Sequence, residues 1–184
     1  YDMKNHELIG ARDHFGIKPF YYYYHDGEFL FGSEIKSFLA HPNFQKELNT
    51  DPLKMYLIFQ YSIKEETFFK NVFKLKPGHF FHYKDGNLTI DSYFSVSYAP
   101  SKKKMETMAN ELEKVLEDSI YYHQTTSDVE VGAYLSGGVD SSYVVSVGKP
   151  EKTFSVGFSY AGFDETDYAK DLSEQLGISN VRKK

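Results

Sequence analysis

Cysteine and tryptophan are both absent from the 184 residues. Without a thiol, the chain holds no disulfide framework, no thiolate metal site and no cysteine nucleophile. No stretch approaches the ~18 consecutive apolar residues of a membrane span. No basic patch is concentrated anywhere, and the formal net charge is −5. That balance argues against nucleic acid or an anionic membrane as the main partner. The longest basic run, "SKKK" at Ser101 to Lys104, is too short to alter this. Internal repeats and low-complexity tracts are missing too. The opening residues, "YDMKNHELIGARD", lack the apolar core of a signal peptide. The expectation is a soluble cytoplasmic protein. A first residue of Tyr and a last stretch of charge after "LGIS" read as cut ends, so a fragment is expected.

What is present is an ordinary globular balance, 41% hydrophobic and 26% charged. Aromatics reach 17%, all Tyr or Phe, which points to a Tyr/Phe-packed core and β-rich segments. The chain changes grammar part-way along. To about Phe94 it reads as strands with short helices. "HELIGAR" has the look of a strand. "FYYYYHDGEFLFG" reads as a hairpin turning at Asp26-Gly27. Ser33 is placed to cap a short helix, "EIKSFLA", closed by Pro42. Thr50-Asp51-Pro52 opens another helix, with Leu53, Tyr56, Leu57 and Gln60 on one face. "TFFKNVFKL", "HFFHYK" and "LTIDSYF" read as further strands, with turns at Pro77-Gly78 and Asp85-Gly86-Asn87.

A polar, aperiodic seam follows at residues 97–104, read as a linker between residues 1–96 and 105–184. Apolar residues at helical spacing predict an amphipathic helix over 105–122. Beyond it, "VEVGAYL" is a strand, "SSYVVSV" a short helix and "KTFSVGF" a second strand. Asp164 caps a last helix that Gly177 ends. "VRKK" at the end reads as solvated or a cut edge. Strand, helix, strand, helix implies a parallel sheet with crossover helices.

The stretch "LSGGVDSS" carries the chemistry. Ser136-Gly137-Gly138-Val139-Asp140-Ser141-Ser142 leaves a strand and opens a helix, where a parallel sheet offers a ligand crevice. Free N–H groups at a helix start favour an anion. Glycines let the backbone approach phosphate oxygens, and serine hydroxyls can donate to them. Asp140 would repel a bare phosphate. It makes sense as a ligand of a Mg²⁺ that bridges phosphates, or as a helix cap. The competing reading is a flexible Gly/Ser turn. No Lys follows the glycines, so this is not the Walker pattern. Of the seven His (6, 14, 25, 41, 79, 82 and 123), only His79 and His82 have a metal-like spacing, and on a strand they face opposite ways.

"LSGGVDSS" resembles the PP-loop of the ATP pyrophosphatases. "ARDHFGIKPFYYY" with "FGSEIKSFLAHP" resembles the later part of a class II glutamine amidotransferase domain. "TFFKNVFKLKPGHF" and "KTFSVGFSYAGFDETDYAKDLSEQLG" are similar to stretches of the glutamine-hydrolysing asparagine synthetases, and the resemblance runs through essentially the whole chain in order. It implies α+β then α/β: the C-terminal part of an N-terminal-nucleophile hydrolase (αββα) domain, then the start of a Rossmann-like adenine-nucleotide-binding domain. It implies ATP and Mg²⁺ as cofactors, and glutamine, aspartate and ATP as substrates. The activity implied is adenylation of aspartate and amidation by glutamine-derived ammonia, giving asparagine, AMP and pyrophosphate. A homodimer is the candidate assembly. By that resemblance Ser136, Gly137, Gly138, Val139, Ser141 and Ser142 bind ATP, Asp140 binds Mg²⁺, and Leu135 and Val156 hold the adenosine. Plain core packing is an equal reading for those last two. Arg12, Asp13, Glu34 and Lys36 read as structural, Arg12 and Asp13 as an ion-paired turn pivoting on Gly16.

The chain departs from the family in lacking the N-terminal Cys nucleophile of the glutaminase, so no glutaminase catalytic residue is present. The second acidic Mg²⁺ motif and the aspartate-binding helices are expected outside it. On this reading the chain alone has neither complete activity. Alternatives that stay open are a β-lactam or carbapenam synthetase relative, another carboxylate-adenylating amidotransferase, and a non-catalytic ATP-binding remnant.

Overall fold

The computed structural model describes residues 1–160 and 164–183. It divides into two compact units, Tyr1–Ala99 and Pro100–Lys184.

The first unit holds two three-stranded antiparallel sheets. One is β1 (Leu8–Ala11), β5 (His79–Lys84) and β6 (Asn87–Ser92), in the order β1-β5-β6. The other is β2 (Tyr21–His25), β3 (Glu28–Gly32) and β4 (Val72–Lys74), in the order β3-β2-β4. Four successive tyrosines form β2 because both of its faces are buried. Tyr22 and Tyr24 pack toward Leu75 and Phe81, while Tyr21 and Tyr23 pack toward Phe38 and Val72. This is the period-two alternation of a strand. Tyr23 and Phe81 are 1% and 2% exposed, and each such burial contributes about 1.5–3 kcal/mol.

Both hairpins use two-residue turns with left-handed backbone. Asp26 and Gly27 have φ of 48° and 77°, and Asp85 and Gly86 have 49° and 79°. That is the mirror-image turn that suits strand twist. The two turns are clasped reciprocally. Tyr24 Oη donates to the Gly86 carbonyl at 2.9 Å, and Tyr83 Oη donates to the Gly27 carbonyl at 2.6 Å.

Arg12 and Asp13 shape the loop after β1, but not as an ion pair with each other. The Arg12 guanidinium donates to the carbonyls of Lys18, Leu75 and Gly16 at 2.9, 2.7 and 2.9 Å. Asp13 accepts the N–H groups of Phe15, Ile17 and Lys18. Its carboxyl is held below the ordinary value, first by the Ile17 N–H and then by that of Lys18. Ser33 does not cap a helix: residues Ile35–Ala40 form a 3₁₀ helix entered through Glu34, without a side-chain cap. Ser37 Oγ donates to the Glu34 carbonyl instead, and Glu34 pairs with Lys36. Helix α1 (Thr50–Phe59) ends on Gln60 in the left-handed region.

The second unit opens with α2 (Met105–Thr125), three residues longer than its periodicity predicts. A parallel sheet follows, in the order β7-β8-β9: β7 (Ala133–Tyr134), β8 (Lys152–Val156) and β9 (Ser179–Lys183). Helices α3 (Val139–Gly148) and α4 (Thr166–Leu176) are the crossovers. Only two residues of "VEVGAYL" pair as strand. The polar tail is solvated as expected, with Val181, Arg182 and Lys183 exposed, but it also forms β9, which pairs residue by residue with β8 up to Val156↔Lys183. Lys184 and residues 161–163 of the family-like stretch lie outside the described residues. Asp164 caps α4 from one position further out than expected, taking the Thr166 N–H at 3.1 Å and hydroxyl at 2.6 Å. Leu135, Val145 and Ala169 form the core. No described helix is long and apolar enough to cross a membrane.

Candidate functional site

The candidate site is the turn from β7 into α3. Leu135 continues the ladder for one more bond, its N–H donating to the Phe154 carbonyl at 2.9 Å. Ser136 and Gly137 then turn the chain, and Gly138 enters the helix with φ −74° and ψ 159°. Gly137 has φ +87°, and a Cβ there would lie 3.0 Å from the Glu165 carbonyl and 3.1 Å from Tyr168 Cβ. Only glycine satisfies both demands. The first hydrogen bond of α3 runs from the Ser142 N–H to the Gly138 carbonyl at 3.0 Å. Among the described residues, the N–H groups of Gly137, Val139, Asp140 and Ser141 have no partner. Those are the orphan donors of a helix start, carrying its positive dipole end.

Two serines lock the turn. Ser141 Oγ donates to the Gly138 carbonyl at 3.1 Å, takes the Ser136 N–H at 3.3 Å, and meets Ser136 Oγ at 3.0 Å. Ser136 Oγ in turn takes the Gly138 N–H at 3.4 Å. Ser142 is half-buried and its hydroxyl has no partner among the described residues. Asp140 is exposed in the first turn of α3, with neither hydrogen bond nor ion pair among the described residues. It does not cap the helix, since Gly138 holds the cap position with no side-chain bond. A groove of 480 Å³ runs from it between α3 and α2, past Tyr143, Asn110 and Glu113. The Tyr143 hydroxyl is buried without a partner among the described residues. Burial, then the charges of Glu113 and Glu117, push its pKa up.

Residues 1–94 match the family model of a glutamine amidotransferase domain, and residues 111–183 match that of asparagine synthase. The chain belongs to the glutamine-hydrolysing asparagine synthetase family. Over its whole length it is 40% identical to asparagine synthetase [glutamine-hydrolyzing] 1 of Bacillus subtilis, covering 29% of that protein. It is 32% identical to asparagine synthetase [glutamine-hydrolyzing] 3 of the same organism, over 80% of this chain and 24% of the relative. Amidase chry2 of Gibberella zeae matches at 30% identity, over 80% of this chain and 22% of the relative. The chain thus spans under a third of the length of each of these three relatives.

The residues singled out from the sequence divide into two groups. Ser136, Gly137, Gly138, Val139, Asp140, Ser141 and Ser142 come together in the one turn. Leu135 and Val156 do not join them as side chains. Leu135 is 1% exposed in the core beside Val145 and Ala169, while Val156 is 70% exposed at the end of β8. His79 and His82 are engaged separately, with the Pro77 carbonyl and with Glu7. Sequence reasoning missed Ser155, 4% exposed, whose hydroxyl donates to the Leu135 carbonyl at 2.6 Å. It also missed Asn180, which donates to Ser155 Oγ at 3.0 Å and to Thr153 Oγ1 at 2.9 Å.

The donor set fits Mg²⁺ in one way only. No group of three or more His, Cys, Asp or Glu able to hold a metal occurs among the described residues. A single free carboxylate beside unpaired N–H groups suits a Mg²⁺ that takes its other ligands from phosphate and water.

Proposed function

We propose that the chain is part of a glutamine-dependent asparagine synthetase, and that the turn at residues 136–142 holds the pyrophosphate end of ATP. The observation that carries this reading is the set of four unpaired N–H groups at a strand-to-helix turn, with a free carboxylate in the same helical turn. In this reading, residues 105–184 begin a Rossmann-like adenine-nucleotide domain and residues 1–96 close an N-terminal-nucleophile hydrolase domain, with 97–104 as linker. The parallel β7-β8-β9 sheet and the two stacked antiparallel strand layers support those folds. The glutaminase nucleophile is not among these 184 residues, since none is cysteine.

Catalysis by the turn is electrostatic. The N–H groups of Gly137, Val139, Asp140 and Ser141 point their positive ends where charge builds on departing pyrophosphate. The Ser142 hydroxyl is free to add a donor. Asp140 would hold Mg²⁺, which supplies charge neutralisation across the phosphates. An aspartate carboxylate attacks the α-phosphorus, pyrophosphate leaves, and ammonia then displaces AMP from the acyl carbon. Leu135 and Val156 flank the adenosine, Leu135 through its backbone rather than its buried side chain. In this reading the protein works on small molecules in the cytoplasm.

The test is product analysis. For the full-length protein that contains this chain, aspartate-dependent release of pyrophosphate and AMP from ATP, with asparagine formed from ammonia or glutamine, is the expected result. Asp140→Ala should lower it at least about a hundredfold. Release of ADP and phosphate instead would overturn the reading. The match to a protein named an amidase favours one second reading, a different carboxylate acceptor. Pyrophosphate release with other carboxylates but not with aspartate would select it.

A further inference from the structure

The turn does not stand on its own residues alone. Leu135 is the last residue before it, and β8 grips Leu135 at both backbone groups. Its N–H donates to the Phe154 carbonyl, and its carbonyl accepts the Ser155 hydroxyl at 2.6 Å. Ser155 is itself held. It is 4% exposed, and Asn180 Nδ2 donates to its oxygen at 3.0 Å. The same Nδ2 donates to Thr153 Oγ1 at 2.9 Å, and Thr153, fully buried, donates to the Ser179 carbonyl at 3.3 Å. A line of polar groups, buried at Thr153 and Ser155 and half-buried at Asn180, therefore runs across the sheet, from β9 through β8 to the end of β7.

We infer that Ser155, oriented by Asn180, is a positioning residue that sets where the pyrophosphate-binding turn begins. Where the chain leaves the ladder at Leu135, a side-chain hydroxyl fixes the departing peptide. The same peptide carries the Ser136 N–H, which Ser141 Oγ takes at 3.3 Å, so both of its polar groups are held, and from there the orientation of every unpaired N–H follows. A shift of the Leu135 carbonyl is passed on to those donors through Ser136, whose N–H and hydroxyl are both tied to Ser141 in the first turn of α3. Ser155 touches no reacting atom. Its effect is on the aim of the donors, and donors held in place before the ligand arrives bind more tightly than donors that must be arranged. This role rests on the proposed reading of the turn as a pyrophosphate site.

Titration calorimetry of the full-length protein that contains this chain, with Mg²⁺ and inorganic pyrophosphate, separates affinity from the fraction of folded protein. A residue that merely supported the fold would lower the stoichiometry and leave the Kd alone. Ser155→Ala should raise the Kd about tenfold at unchanged stoichiometry, and Asn180→Ala about threefold. Ser155→Thr, which keeps the hydroxyl, should stay within about twofold of wild type. If Ser155→Ala does not fold, Asn180→Ala carries the test, since it leaves the bond to Leu135 in place but frees its donor. Wild-type binding with Kd values in both alanine variants within about twofold of wild type would overturn the positioning role alone. A wild-type protein that binds neither pyrophosphate nor ATP would overturn the functional reading and this role with it.

Discussion

Two adjacent glycines, Gly137 and Gly138, should respond to the same substitution in opposite ways. Gly137 sits at φ +87°, outside even the narrow left-handed well of about +50 to +70° that other residues visit. Alanine there loses about 1–2 kcal/mol in backbone conformation. Its Cβ would also press on the Glu165 carbonyl at 3.0 Å and on Tyr168 Cβ at 3.1 Å. Overpacking of that kind costs about 1–3 kcal/mol. The combined loss is about 3 kcal/mol. For a unit the size of residues 100–184, each kcal/mol moves the melting midpoint by about 4–8 °C. Gly137→Ala should therefore melt at least about 10 °C below wild type in scanning calorimetry. Gly138 has φ −74°, and a Cβ there would meet nothing closer than Ser136 Oγ at 3.5 Å. Gly138→Ala should stay within about 0.5 kcal/mol of wild type in stability. On the proposed reading of the turn it should lose pyrophosphate affinity, because the methyl group would stand where phosphate oxygens approach the backbone. A Gly137→Ala protein that melts within about 2 °C of wild type would refute the reasoning.

The Ser136–Ser141 pair predicts non-additivity. If Ser141 acts by holding Ser136, Ser136→Ala and Ser141→Ala together should cost about as much pyrophosphate affinity as the worse single change, while additive losses would show two independent ligands. Arg12 spends its planar fork on three carbonyls, a geometry lysine cannot reproduce. Arg12→Lys should destabilise the first unit by about 2–3 kcal/mol, read as a drop of about 10 °C or more in its melting midpoint. Asp13 supplies a pH dependence. Its folded pKa is depressed by backbone N–H donors, so its contribution is present above the unfolded value of about 3.9 and is lost as pH falls through the lower folded value. Asp13→Asn should be less stable at neutral pH and lose stability less steeply below about pH 4. An acid limb identical to wild type would remove Asp13 from the account. Glu7, depressed mainly by its bond to His82, keeps part of the limb in either protein.

Features governed by local chemistry were legible in advance. Asp26-Gly27 and Asp85-Gly86 announce their turns because few residues accept φ > 0 twice in succession. The run from Ser136 to Ser142 announces the strand-to-helix turn, since two glycines and several hydroxyls follow an apolar strand and precede an apolar helix. What could not be read depends on partners distant in sequence. "SNVRK" has no apolar alternation, yet it is a strand because β8 offers it a parallel edge and because Asn180 satisfies Thr153 and Ser155. For the same reason β8 inverts the usual pattern. Its polar residues Thr153 and Ser155 are buried, while Phe154 and Val156 are 40% and 70% exposed. Pattern reasoning places the apolar set inside, so it overlooks Ser155, the residue that grips the turn. Leu135 shows the converse: its position beside the site is legible, but only the packing against Val145 and Ala169 reveals that its side chain faces away into the core.

The tyrosine clasp between the two hairpin turns has a kinetic consequence. Each turn lends its glycine carbonyl to a tyrosine that belongs to the other hairpin, so neither hairpin can fray from its tip without releasing the other. Slipping either register by one residue would send its tyrosine to the opposite face of its sheet. The turn amides of residues 26–28 and 85–87 should then share one opening event, and exchange with solvent deuterium at a common rate despite lying some sixty positions apart in the chain.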